Sequence, residues 1–416
     1  MPDNTASQEL LQCSERSTSR PADQINKFRE IFLPLLIICI ACAPVAYLLS
    51  LLITELILPQ EVCNKRVVGY YTVAEWNKLK ENQIEKLTHL ILMFAYLQDD
   101  GSVIVNGGPY EVKASDMKEV ISVAKERESL KVMIAIGGSE PHLYSPMVSD
   151  PVKKKNFMDS ITKLFEEYDI DGIEIVWMYV SEIDNENHLR LLREVRQHLT
   201  SLKTSKGKKE DYVLSTGVSR YTEYFKHLYN NKVLTYVDFL TVQSHDWSYL
   251  NTQVGPVAPL YGGPQDSIDD AMKYLVCQTK QPSKLNLGIP MFGMEWKNAS
   301  FPINDYNNQL YIPKKSGNNW SSYYFWRDEE VKTFSPSEVS WHEKSQTSYI
   351  FRNNVFVSFE NERSVQAKAN YIKIKNIGGI AIDAIDQDDK NILMNAVASM
   401  NLCSGEDENK IQYGCK

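Results

Sequence analysis

The chain has 416 residues and a mass of 47.7 kDa, room for an α/β barrel of about 250 residues plus additions. With 43% hydrophobic and 24% charged residues it can bury a substantial core, which excludes disorder as its main state. A net charge of −8, from 45 Lys+Arg against 53 Asp+Glu, lacks the basic face of a general nucleic-acid binder, so no nucleic-acid partner is expected.

Residues 1–30 are polar, rich in Ser and Thr and unpatterned, and read as a disordered tail. From Ile31 to Thr54 no side chain is charged, and as a helix these 24 residues span about 36 Å, enough for a hydrocarbon core of about 30 Å. A transmembrane signal-anchor helix is therefore predicted over 31–58, in which Pro34 and Pro44 are tolerated. The nearest competitor, a cleaved signal peptide, would carry its apolar run closer to the N-terminus. Arg16, Arg20, Lys27 and Arg29 precede the span, whereas Glu55 and Glu61 follow it. The positive-inside rule then puts the tail in the cytosol and the rest outside or in a lumen, a single-pass type II topology. On that exported side lie Cys63, Cys277, Cys403 and Cys415, enough for two disulfides in three possible connectivities, with Cys403–Cys415 the simplest pairing. The sequons at Asn298 and Asn319 become glycosylation candidates under the same topology.

From Arg66 onward, short apolar runs alternate with amphipathic stretches. Strands are predicted to start near Arg66, His89, Lys131, Asp171, Tyr212, Val237, Lys284 and Gly378. Near-continuous apolar strands separated by helices imply a parallel sheet covered on both faces, and eight such units imply a (β/α)8 TIM barrel over 64–402. A doubly wound sheet would want a Gly-rich phosphate turn after its first strand, and the sequence has none. The long interval at about 296–376 needs its own core and is read as a small α+β insertion between strands 7 and 8. Residues 403–416 are left as a C-terminal tail.

The strand segments carry more than strand character. RVVGYYT, LTHLILMFAY, VMIAIGG, DGIEIVW, SKLNLGIPMFG and GGIAIDAIDQDD resemble, in order, the motifs of family 18 glycoside hydrolases, the chitinases and chitinase-like proteins. The resemblance runs from about Val67 to Asp389. It implies a binding cleft for chitin or chitooligosaccharides, and it does not by itself imply activity.

The family's fourth strand reads Asp-Gly-x-Asp-x-Asp-x-Glu, where the last Glu is the general acid. The preceding Asp orients the acetamido group through which the substrate assists its own hydrolysis, an exception to the two-carboxylate scheme. The matching positions are Asp171, Glu174, Val176 and Met178, and strand parity turns 174, 176 and 178 to one side, into the barrel. A thioether has no proton to give, so a contribution of about 10²–10⁴-fold is lost at Met178. Val176 cannot orient an acetamide. The resemblance further places His245 where the family has Tyr, keeps Asp246, and puts Asp383 where a Trp floors the sugar site. It also puts Ala135 at a family Ser.

These losses on four strands point to a degenerate site with no catalytic residue, a pseudoenzyme that binds chitin or N-acetylglucosamine oligomers without cleaving them. Candidate binding residues are Tyr70, Phe94, Glu174, Met178, His245, Asp246 and Asp383. Each has a structural reading as well: Tyr70 and Phe94 as core aromatics, Asp171 as a strand-holding carboxylate, and Glu174 as either paired with a base or shifted in pKa. Asp386, Asp388 and Asp389 form an acidic run read as structural, and no metal or cofactor is expected. Two alternatives stay open, a protein-interaction module on a decayed scaffold, its protein partner unknown, and a residual glycoside hydrolase acting through Glu174 or Asp383.

Overall fold

The computed structural model describes residues 65–415 apart from 75–77, 107–111, 138–140, 219–231, 244–252, 263–266, 298, 300–311, 314–320, 326–334, 389–391 and 404–412. The predicted membrane span, His245, Asp246, Asn298 and Asn319 therefore lie outside the described residues. Among the described residues, no helix is long and apolar enough to cross a membrane.

Eight parallel strands among these residues close into a barrel: β1 (Arg66–Thr72), β2 (His89–Leu97), β3 (Lys131–Gly137), β4 (Gly172–Val176), β5 (Val213–Val218), β6 (Phe239–Val242), β7 (Leu285–Pro290) and β8 (Gly379–Asp383). Each pairs with its sequence neighbours, and β1 pairs with both β2 and β8, which shuts the sheet. The expected (β/α)8 architecture is what the chain adopts, with strand starts within two residues of those read from the sequence.

Period-two alternation sorts the side chains into two cores. Tyr71, Leu90, Leu92, Ile134, Ile173, Ile175 and Leu214 point outward into a belt shared with the helices. Val68, Tyr70, Ile91, Met133, Ala135, Val176, Phe239, Ala381 and Ala384 point inward and fill the barrel. The helices supply the other side of the belt. In α1 (Pro151–Glu167), Asp150 caps the first turn by accepting from the Val152 and Lys153 amides at 2.7 and 3.2 Å, and Pro151 suits the first position because it has no amide to satisfy. In α2 (Asn185–Lys206), His188, Leu191, Leu192, Val195, Leu199 and Leu202 recur at helical spacing and are all buried. Gly207 ends it at φ 63°, a left-handed cap that glycine adopts without strain.

Between β7 and β8 the chain forms a five-stranded antiparallel sheet. Its strands, in spatial order, are Ser321–Phe325, Phe292–Trp296, Val355–Phe359, Thr347–Arg352 and Ser340–His342. The helix Glu362–Ile374 then leads back into β8.

The disulfide pairing differs from the simplest expectation. Cys415 bonds Cys277, not Cys403, across a sequence separation of 138 residues, and Cys403 is also disulfide-bonded. The C-terminal segment is held against the barrel by the Tyr413 hydroxyl donating to the Lys375 carbonyl, with Lys375 also over the Tyr413 ring. Closeness in sequence carries no weight once the tail has docked, because bonding requires the two Cα atoms to be near, and these are 5.4 Å apart.

Candidate functional site at the barrel mouth

The closed end of the barrel is structural. Arg66 donates to Asn286 Oδ1 at 2.9 Å and lies 5.1 Å from the Phe239 ring centroid, with the His89 ring edge-on at 5.2 Å. Burial, followed by the Arg66 charge, lowers the His89 pKa to about 4, so this plug has a neutral imidazole at physiological pH. Asp171 belongs to the same end. Its carboxylate accepts from Lys125 at 2.8 Å, Lys208 at 3.1 Å and the Val132 amide at 3.0 Å, and these bonds hold its pKa below the ordinary range despite partial burial. The first carboxylate of the motif therefore clamps strands and helices at the end away from the mouth.

Three residues of the motif face inward in sequence. Glu174 is 2% exposed and lies beneath the mouth. Both of its carboxylate oxygens accept from the Tyr70 hydroxyl, at 2.9 and 3.1 Å, and Oε2 also accepts from Ser215 Oγ at 2.8 Å. Burial is the largest influence on this group and raises its pKa from the ordinary 4.5 to about 7; the two hydroxyls oppose the shift, while the Asp383 charge adds to it. Tyr70 is pushed well above its usual range by burial first and then by Glu174.

Register explains why Ser215 is the partner. Glu174 stands between Ala135 of β3 and Ser215 of β5. Ala135 offers no hydroxyl, and the extra methylene of Glu relative to Asp suits a bond to the opposite neighbour. Ser215 escaped the sequence reading because pairing between strands is set by register, which periodicity within one strand does not reveal. The available signal was the inward parity of Val213, Ser215 and Gly217 along β5.

Val176 ends β4 and is 7% exposed, packed in the apolar interior. Met178, two residues further, is half-buried against the same cluster, as is Phe94. A Cβ added to Gly217 would lie 3.9 Å from Met178 Sδ, which sets these two residues side by side. Asp383 closes β8 and is half-buried; the Gly69–Ile382 pairing places it beside Tyr70. The structure thus gathers Tyr70, Phe94, Glu174, Val176, Met178 and Asp383 in the interior and mouth. Behind Met178, Trp177 stacks on Tyr144 at 5.0 Å and meets His188 edge-on at 5.7 Å, which fixes the start of the β4 loop. Beyond it the loop exposes Tyr179 (44%) and Ile183 (92%).

The acidic run after β8 has backbone partners. Asp386 accepts from the Thr72 amide at 3.0 Å, and Asp388 from the Ile392 and Met394 amides at 2.9 and 2.8 Å. These carboxylates join β1 and the last helix (Ile392–Ala398) to β8.

As an arrangement for chemistry, the mouth has an apolar floor where a general acid would stand. The Glu174 carboxyl, four residues back in the chain, is buried and held by its own hydrogen bonds to Tyr70 and Ser215.

Comparison with known proteins bears on this geometry. Residues 66–388 match the family described as Glycosyl hydrolases family 18. An endochitinase of Manduca sexta is 26% identical over 339 residues, which cover 75% of this chain and 60% of that protein. The human chitinase-3-like protein 2 is 24% identical over 324 residues, covering 73% of this chain and 80% of the relative. Among solved structures, YKL-39 in the presence of chitooligosaccharides superposes with a TM-score of 0.67 at 23% identity, covering 82% of this chain and all of that one.

Proposed function

Because the chain belongs to glycoside hydrolase family 18, we propose that it is a chitinase-like pseudoenzyme that binds chitooligosaccharides without hydrolysing them. The observation that carries this is Met178, a thioether packed on an apolar floor at the general-acid position, with Val176 in place of the orienting carboxylate. A thioether at position 178 cannot protonate a leaving oxygen, while the barrel is retained. Relatives include both an endochitinase and a chitinase-3-like protein, so family membership leaves the choice to the site residues. The anchor at 31–58, the type II topology and glycosylation at Asn298 and Asn319 belong to the same proposal, supported by the uncharged run and its flanking charges.

Incubation of the full chain with N-acetylglucosamine oligomers, followed by chromatography, tests the inactive part. Product no greater than in a mock-purified control is expected; product clearly above it would overturn the reading.

A second reading, a protein-interaction module, is favoured by Asp383 where an aromatic floor would stack on sugar and by the exposed Tyr179 and Ile183 on the rim. Hydrolysis through Glu174 is disfavoured by its depth and by the two hydroxyls that occupy it.

A further inference from the structure

The chain enters and leaves the barrel at one turn. Lys65, the residue before β1, donates through Nζ to Asn376 Oδ1, and the Arg66 amide donates to the Gly378 carbonyl at 3.0 Å. Near the other end of the chain, the Tyr413 hydroxyl donates to the Lys375 carbonyl. Lys375, Asn376 and Gly378 belong to the turn that joins the helix Glu362–Ile374 to β8. Both ends are therefore docked beside the seam where β1 pairs with β8.

The last helix, Ile392–Ala398, is followed by Met400 and Leu402, which pack into the main core. Cys403 comes next. It is half-buried, its amide donates to Asn401 Oδ1 at 3.0 Å, and its sulfur is in a disulfide. Of the seven cysteines, Cys277 and Cys415 bond each other, which leaves Cys13, Cys39, Cys42 and Cys63 as partners for Cys403. The compact unit that contains Cys403 runs from Cys63 to Lys416, and the other three cysteines lie outside it. A disulfide requires Cα atoms within about 7 Å of each other. Cys63 stands two residues before Lys65, so its Cα is within about 7 Å of a residue already bonded to the turn.

We propose that Cys403 is bonded to Cys63, which makes the C-terminal segment a strap fastened at both ends. One end is fixed to the entry of β1. The other is fixed through Cys415 to Cys277, in the helix Ile268–Thr279 ahead of β7. The strands β7, β8 and β1 are consecutive in the sheet, so the two attachment points fall on either side of β8, at the seam that closes the barrel. A load arriving through the residues before Cys63 passes into the strap and does not peel β1 from its neighbours, a use that suits a chain held by its N-terminal segment. Forming the bond oxidises two thiols. Each loses its proton, the two sulfurs join, and the two electrons reduce the disulfide of a thiol–disulfide oxidant to a dithiol. The strap does not depend on what the mouth binds.

The test is peptide mapping of the full chain, expressed through a secretory pathway, alkylated on extraction and cleaved after glutamate without reduction. Glu61 separates Cys63 from Cys39 and Cys42, and Glu406 separates Cys403 from Cys415. One cross-linked species carrying Cys63 and Cys403 is expected, which reduction splits into its two peptides. Cys63→Ser should expose Cys403 to alkylation and leave Cys277–Cys415 unchanged, and Cys403→Ser should expose Cys63. Cys403 found free, bonded to Cys13, Cys39 or Cys42, or bonded to a second copy of the chain overturns the assignment. The strap is read from unfolding in denaturant, where Cys63→Ser/Cys403→Ser should raise the unfolding equilibrium constant about thirtyfold or more. An unchanged constant overturns the strap.

Discussion

At the scale of single residues, the proposed reading turns on Val176, Met178 and Glu174. Met178 and Val176 join an apolar interior, so restoring their carboxylates places charge against a floor built for hydrocarbon. The double variant Val176→Asp/Met178→Glu is expected to release no more than trace product from chitin oligomers, because His245 and Asp383 still depart from the family pattern. Product analysis checks this, and activity near that of a competent relative would contradict it. Glu174 makes a second prediction. Its pKa rises from 4.5 in the unfolded chain to about 7 in the fold, so the fold binds the proton more tightly. That stabilisation is complete below about pH 4.5 and disappears as pH climbs to about 7, a loss of about 3 kcal/mol from this group. Glu174→Gln should therefore flatten the pH dependence of denaturant unfolding across this interval relative to the parent protein. An unchanged profile would show that the carboxyl is not held as described.

At the scale of elements, Asp171 ties β4 to β3 through the Val132 amide, to the end of the helix Ala114–Lys125 through Lys125, and to the loop after α2 through Lys208. Its depressed pKa gives the opposite sign from Glu174: this stabilisation is present above the ordinary carboxylate range and disappears as pH falls through the folded value. Asp171→Ala leaves two lysines facing a partly buried vacancy and is expected to cost about 3 kcal/mol in chemical denaturation. The Cys277–Cys415 bond closes a loop of 138 residues, and the Cys277→Ser/Cys415→Ser variant should lose about 2–4 kcal/mol by the same measurement. The barrel strands were legible because runs such as that from Lys131 to Gly137 are apolar throughout, as a sheet buried on both faces requires. The inward turn of 174, 176 and 178 was legible from parity. The bond from Ser215 to Glu174 was not, since it depends on the register of two strands joined by a long helix. Nor was the Cys277 pairing, which depends on where the tail docks, a tertiary property with no local signature.

At the scale of the whole molecule, the chain combines an intact barrel, an apolar residue at position 178, and an interior carboxyl that accepts from the Tyr70 and Ser215 hydroxyls. The mouth is where this fold places its chemistry, and the closed end is committed to the Arg66, His89 and Asp171 contacts. On the proposed reading, an intact barrel with an apolar residue at position 178 is the arrangement expected of a receptor or scaffold for the sugar. The measurement that tests this most directly is calorimetric titration of the full chain with N-acetylglucosamine oligomers, with the same sample analysed afterwards for shortened products. Saturable heat with the oligomer recovered intact is the predicted result. Shortened oligomers, or no heat at any oligomer length, would contradict it.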